Sequence, residues 1–349
     1  MFDILYRIID ANFNRAREAF RVMEEYCRFG LNHPALSAKT KQLRHRLCDA
    51  ISKLDSVKLL CSRDVAGDVG RELKIEGQLS RQSLEDCFTA AAKRASEALR
   101  ALAEASQSID SNVASVMEKL RFEVYSLEKE IAIKAAVGHK FRTVRLYVLI
   151  NATPEIPQKK TLDLARACIA GGADCLQLRA KNMPDKMLLE CAGQFASLCR
   201  NNHTLSIIND RADIAVLTEA DGTHLGQNEI PIQAARNLAR TPLIFGASTH
   251  SENELQQAIA SGSDYIAIGP AFPSPTKPAL QTAGLDYLKN ALPLLNNAGI
   301  FHVAIGGINQ NTINSLIDIG VQTIAVSSAV CNTENPEKAC KALKERLLK

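Results

Sequence analysis

The sequence contains no tryptophan, which removes one kind of aromatic binding platform. Its ten cysteines (27, 48, 61, 87, 168, 175, 191, 199, 331 and 340) form no Cys-x-x-Cys pair. No matching histidine–cysteine set accompanies them, so the spacing argues against zinc and for reduced thiols in a core. No stretch approaches the roughly 18 unbroken apolar residues of a membrane span. Neither sign of charge dominates: 42 basic residues against 38 acidic ones leave +4, too even to argue for nucleic acid. A basic cleft stays open, because net charge says little about one pocket. The opening segment, MFDILYRIIDANFNRAREAF, lacks the basic head, apolar run and small-residue cleavage site of a secretory signal. The expectation is a cytoplasmic protein with neither nucleic acid nor membrane as partner.

What is present is an ordinary globular composition in two differently patterned stretches. With 349 residues, 46% of them hydrophobic, the chain is long enough for two domains with separate cores. Residues 1–138 read as a helical domain. Ile9, Phe13, Ala16, Phe20, Met23 and Cys27 recur every three or four positions and mark one apolar face. Asn32, His33 and Pro34 interrupt it, and a second helix is expected over roughly 36–55. Residues 61–80 hold three glycines and read as a loop or arm. Ser83 then precedes an alanine- and leucine-rich helix, and Val113, Val116, Leu120, Val124, Leu127 and Ile131 share a face of the next.

Residues 139–349 alternate short β-rich runs with amphipathic helical ones. The runs are 144–150, 175–181, 204–210, 223–227, 243–249, 265–272, 301–307 and 323–330. Eight such alternations are the signature of a closed (β/α)8 TIM barrel, with a doubly wound open sheet as competitor. The fold class expected is therefore α/β, a TIM barrel preceded by an all-helical domain.

A barrel carries its active site at the C-terminal ends of its strands. At the second strand end, Gln177, Arg179 and Lys181 alternate by two and so share a face, which suits a polyanion. The third ends in Asn209 and Asp210, and the fourth is followed by Glu229. Two carboxylates at neighbouring strand ends can share a magnesium ion with a substrate phosphate. Asp210 reads equally well as a helix cap. His224 reads as a structural residue of the mouth. The sixth strand runs into Ser274, Pro275, Thr276 and Lys277, whose hydroxyls and ammonium can hold phosphate oxygens. Gly307 after the seventh strand and Ser327 and Ser328 after the eighth match the recurring barrel phosphate site. No nucleophile stands beside a base, so the site reads as one that binds and stabilises charge.

The segments Gln177–Lys181, Ile208–Arg211, His224–Gln227, Gly246–His250, Gly269–Lys277, Ala304–Ile308 and Val326–Ala329 resemble the thiamine-phosphate synthase family, in family order over nearly the whole second domain. The resemblance implies a transferase that joins a hydroxymethylpyrimidine diphosphate to a thiazole phosphate. Its products are thiamine monophosphate and pyrophosphate, with carbon dioxide when the thiazole is carboxylated. It implies that Gln177, Leu178, Arg179, Ala180, Lys181, Asn209, Ser248 and Lys277 contact the pyrimidine diphosphate, with Lys181, Ser248 and Lys277 catalytic. Ser274, Pro275, Thr276, Gly307, Ser327 and Ser328 fall on the thiazole-phosphate side. Asp210 and Glu229 are implied to hold Mg2+. Two departures stand out: Glu229 where the family usually has aspartate, and Ser274 where threonine is common.

Thiazole tautomerase, which shares the barrel and the thiazole-phosphate site, is the competing reading; it has no need of a complete diphosphate-and-metal set. A non-catalytic scaffold is a third. The helical domain resembles an N-terminal extension on some thiamine-phosphate synthases, through Asn12–Glu18, Glu24–Tyr26 and Arg63–Gly70. A part in handling the pyrimidine phosphate, and a structural or dimerising role that would make a homo-oligomer, are both open for it.

Overall fold

The computed structural model describes residues 2–69, 80–239, 241–273 and 281–348. The chain divides into two compact units, residues 1–135 and 136–349.

In the first unit, α1 (Phe2–Glu25) buries Ile9, Ala16, Phe20 and Met23, as its spacing requires. A π-helical turn follows at Tyr26–Gly30, and Asn32 takes a left-handed φ of 50°. The His33 ring accepts from the Leu36 amide and Pro34 opens α2 (Pro34–Ile51), a position where its missing N–H costs nothing. The helix expected over roughly 36–55 ends at Ile51, and a further short helix begins just past that span. Asp55 accepts from the Val57 and Lys58 amides and so starts a new helix, α3 (Ser56–Cys61). Ser83 and Asp86 form a reciprocal capping box at the head of α4 (Leu84–Ser106). The last element, α5 (Ser111–Phe141), contributes Val113, Leu120, Val124, Leu127 and Ile131 to the core of this unit. Residues 62–69 are turns, and the remainder of the expected arm up to 79 lies outside the described residues.

The second unit is a closed barrel in which each strand pairs in parallel with the next and the eighth with the first. Its strands are β1 (Leu146–Asn151), β2 (Cys175–Arg179), β3 (Leu205–Asn209), β4 (Gly222–Leu225), β5 (Ile244–Thr249), β6 (Tyr265–Ile268), β7 (Phe301–Ile305) and β8 (Ile324–Val326). All eight fall within the runs marked by the sequence, apart from one residue at the end of β1 and one at the start of β4. The connecting helices are α6 (Gln158–Ala170), α7 (Asp185–Asn201), α8 (Ala212–Leu217), α9 (Ile232–Arg236), α10 (Glu252–Ala260), α11 (Gly284–Ala298) and α12 (Ile313–Ile317). Two more, α13 (Ser328–Cys331) and α14 (Pro336–Leu347), close the chain. Alternate strand residues such as Val148, Ile150, Leu176, Leu178, Ile266 and Ile268 point outward into the layer between strands and helices. No helix among the described residues is long and apolar enough to cross a membrane.

The N-terminal end of the barrel is fastened in a repeating way. An aspartate stands immediately before β2, β4 and β6, and each accepts a backbone N–H from the strand preceding its own. Asp174 takes the Arg145 and Leu146 amides at 2.8 and 2.9 Å, Asp221 that of Ser206 at 3.1 Å, and Asp264 that of Phe245 at 2.9 Å. Each also meets a cation: Lys344, Lys140 and Arg236 respectively. Before β8, Thr323 donates to the Val144 carbonyl at 2.8 Å. Inside this end, Phe141 stacks on Tyr265 with centroids 4.6 Å apart. Gly246 on β5 makes room, since a Cβ there would overlap the Tyr265 ring.

Candidate active site

The opposite end opens into a cavity of about 350 Å³. Its floor and walls come from the inward parity of the strands: Tyr147, Leu149 and Asn151 of β1, Gln177 and Arg179 of β2, and Tyr265 and Ala267 of β6. Asn209, His224, Ser248, His250, Gly306, Gly307, Ser327 and Ser328 also line it.

Arg179 donates to Asn151 Oδ1 at 3.1 Å, Asn151 donates to Ser327 Oγ at 3.3 Å, and Ser327 donates to the Leu149 carbonyl at 2.9 Å. This network ties β8, β1 and β2 together at the rim and aims the guanidinium. Gly306 and Gly307 take φ of 99° and 63°, in the left-handed region. A Cβ on Gly307 would press on Phe272 and the Pro273 carbonyl, so only glycine lets the two loops meet.

Deeper in the barrel, Gln177 donates to the Tyr147 hydroxyl at 2.7 Å, which lies 2.9 Å from that of Tyr265. Tyr265 is 2.9 Å from His224 Nδ1, and His224 Nε2 is 2.8 Å from Ser248 Oγ. Burial pushes both phenols well above their ordinary pKa, so they stay protonated. Gln177 Oε1 is buried in the cavity lining and has no hydrogen-bond partner among the described residues.

The structure thus brings together Gln177, Arg179, Asn209, Ser248, Gly307, Ser327 and Ser328 around one cavity. Lys181 does not share their parity, because β2 ends at Arg179 and the chain turns. It sits at the rim instead, 4.0 Å from Asp210. The Leu178 side chain faces the helices and Ala180 packs against that same layer, so neither side chain lines the cavity. Asp210 has a left-handed φ of 64°, and its amide donates to the His224 carbonyl. The N-cap of α8 is Arg211, so Asp210 does not occupy the capping position. Arg211 instead bonds Asp213 and Asp185, which holds the Asp213 carboxyl below its usual range. Glu229 lies exposed in the loop after β4. Ser274, Pro275, Thr276 and Lys277 lie outside the described residues.

No group of three or more His, Cys, Asp or Glu gathers among the described residues. A divalent ion here would rest on two carboxylates, Asp210 and Glu229, with substrate oxygens and water for the rest. That is the donor set magnesium takes when it binds with a phosphate rather than in a closed protein cage, so the residues fit in kind.

Sequence reasoning missed Tyr147, Tyr265, Asn151 and His250 as lining residues. The parity of 147, 149 and 151 on one strand was the available signal. In the first unit, the motif residues Arg63 and Glu24 serve its own packing. Arg63 grips the buried Asp10 at 2.8 and 2.7 Å, and Glu24 accepts from Arg44 at 3.3 and 3.1 Å. Arg15 and Glu18 are exposed, and Asn12 bonds the Ile8 carbonyl.

A closed eight-stranded barrel with arginine, serines and paired glycines converging on one mouth defines a phosphate-handling (β/α)8 enzyme. A family model described as thiamine monophosphate synthase matches residues 146–330, and one described as the ThiD2 family matches 7–130. A thiamine-phosphate synthase of Nostoc punctiforme is 38% identical over 337 residues, covering 95% of this chain and 91% of the relative. One from Thermosynechococcus vestitus is 36% identical over 345 residues, covering 98% and 95%. The solved thiamine phosphate pyrophosphorylase from Pyrococcus furiosus shares 32% identity at a TM-score of 0.52, covering 59% of this chain and 96% of that one. This chain belongs to the thiamine-phosphate synthase family and is a transferase of that reaction type, with a helical region preceding its barrel.

Proposed function

We propose that the barrel joins 4-amino-2-methyl-5-hydroxymethylpyrimidine diphosphate to a thiazole phosphate, plain or carboxylated, and releases thiamine monophosphate and pyrophosphate, with carbon dioxide when the thiazole is carboxylated. The observation that supports this most directly is the division of the lining. Gln177 is buried among apolar neighbours such as Ala267, while Arg179, Asn209, Ser248, Gly307 and Ser328 are half-buried polar members of the same lining. A heteroaromatic ring suits the first environment and phosphates the second.

In this reading Arg179, braced by Asn151, and Lys181 at the rim bind the diphosphate, with Lys277, which follows β6 in the sequence. Asp210 and Glu229 would hold magnesium, whose charge makes diphosphate a better leaving group. The C–O bond breaks with its electron pair going to diphosphate, and the pyrimidine ring stabilises the resulting cation. The lone pair of the thiazole nitrogen then forms the new C–N bond. Gly307, Ser327 and Ser328 position the thiazole phosphate so that capture is intramolecular in effect. Leu149, Ala267, Val303 and Ile305 keep water from the cation. The reading places the whole site in a synthase domain of residues 139–349, apart from a helical domain of residues 1–138.

The test is to mix purified protein with both phosphorylated substrates and magnesium and to follow thiamine monophosphate by fluorescence after oxidation. Metal-dependent product, lost in Asp210→Ala and Lys277→Ala, is the expected result. Folded protein that makes none, with either form of the thiazole, overturns the proposal.

A further inference from the structure

Five buried or half-buried side chains cross the barrel as one line: Gln177, Tyr147, Tyr265, His224 and Ser248. Their separations of 2.7, 2.9, 2.9 and 2.8 Å make every link a hydrogen bond. The line has a direction, because the Gln177 atom that meets Tyr147 is the amide nitrogen, which can only donate. Gln177 Nε2 donates to Tyr147 oxygen, so the single Tyr147 proton must go elsewhere. The Tyr265 oxygen lies within reach; the Cys175 thiol beside it accepts only weakly. Tyr265, having accepted, gives its own proton to His224 Nδ1. An imidazole whose Nδ1 accepts carries its proton on Nε2, and Nε2–H donates to Ser248 Oγ. The Ser248 proton is then left for an acceptor in the cavity that Ser248 lines. At the other end the buried Gln177 Oε1 is left as an acceptor with no donor among the described residues.

We infer that His224 is a positioning residue, locked by Tyr265 as the neutral Nε2–H tautomer, and that the tyrosine–histidine line fixes the polarity of the cavity. Gln177 presents an acceptor and Ser248 a donor. The ligand that satisfies both carries an N–H and a bare ring nitrogen, as an aminopyrimidine does; that match rests on the function proposed above, whereas the direction of the line does not. The opposite polarity needs Gln177 turned over, with every bond reversed and Ser248 donating to the imidazole instead of into the cavity.

Nitrogen-15 NMR of histidine-labelled, ligand-free protein reads the tautomer directly, with the His224 signals identified by their loss in His224→Gln. The expected spectrum shows Nε2 protonated and Nδ1 bare. Tyr265→Phe keeps the ring that stacks on Phe141 but removes the lock, and a mixture of tautomers is expected. Tyr147→Phe leaves Tyr265 in place but cuts the relay from Gln177, and a mixture of tautomers is expected there too. A His224 that carries its proton on Nδ1, or on both nitrogens, in the wild type overturns the inference; so does a Tyr265→Phe spectrum like that of the wild type. Calorimetric titration with the free hydroxymethyl aminopyrimidine is expected to show about tenfold weaker binding to Tyr265→Phe, the size of one lost hydrogen bond to a buried group. An Nε2–H signal in a protein that makes no thiamine monophosphate would overturn the proposed function and leave the polarity standing.

Discussion

Lys181 Nζ stands 4.0 Å from Asp210 Oδ2, across the gap between the ends of β2 and β3. The lysine side chain is 57% exposed and the aspartate 21%, so the pair contributes little to stability. Its place at the rim matters for an anionic substrate and its counter-ion. Asp210→Asn suits the left-handed backbone there, which asparagine tolerates. Asp210→Asn and Lys181→Ala are each expected to move unfolding free energy by less than about 1 kcal/mol. Each is expected to lower kcat/KM about a hundredfold or more, as removal of a charge-stabilising group does. Urea titration and initial rates separate the two effects, and stability losses that match the activity losses would assign the pair to folding instead.

The room left by Gly246 predicts a packing defect. In Gly246→Ala the methyl group meets the Tyr265 ring and hydroxyl. Overpacking of this kind costs about 1–3 kcal/mol, visible as a lower urea midpoint at an unchanged slope. An unaltered midpoint would mean that Tyr265 moves freely.

His302 gives the barrel a pH dependence of known sign. Its Nε2 accepts from the Gln322 amide at 3.0 Å. Burial first, and Arg145 second, depress its pKa from 6.5 to about 4. The unfolded chain takes up a proton near pH 6.5 that the folded chain refuses until about pH 4, so this stability is present above pH 6.5 and drains away between those values. The loss amounts to about 3 kcal/mol by pH 4, at about 1.4 kcal/mol per unit. His302→Gln keeps an acceptor for Gln322 without the titration. Its urea midpoint, compared with wild type at pH 7.5 and 5, is expected to fall less on acidification; equal falls would exclude His302 as the source.

Thiol reactivity follows burial. All ten cysteines are free, and Cys61 is exposed. Burial raises Cys27 to about 11 and Cys199 and Cys331 to about 12. Brief treatment with a thiol reagent at pH 8 and peptide mapping by mass spectrometry should therefore label Cys61 first. Cys27, Cys199 and Cys331 should label only after denaturation; fast labelling of Cys199 in native protein would contradict the packing around it.

The barrel was legible because eight β-rich runs and their helices recur at barrel spacing, and the mouth because polar residues cluster where those runs end. Parity carried Gln177 and Arg179 correctly into one cavity. It failed at Lys181, because alternation holds only while the strand lasts and β2 stops at Arg179. Tyr147 and Tyr265 went unread for a different reason. Each sits near the start of its strand, where an aromatic residue looks like core, and nothing in a sequence shows that two buried hydroxyls meet. Asp55 shows the local version of the same limit: its capping role starts a short helix that the pattern did not announce, through bonds only two and three residues long.

The aspartates before β2, β4 and β6 cut the barrel into two-strand cassettes. Each cassette is buttoned at its base and carries one share of the mouth at its top: Asn151 with Arg179, Asn209 with His224, and Ser248. Because the button and the chemistry lie at opposite ends of the same hairpin-sized piece, the rim can be rewritten one cassette at a time while the base keeps the strands in register. A barrel assembled in this way holds its shape and changes its trade by separate means.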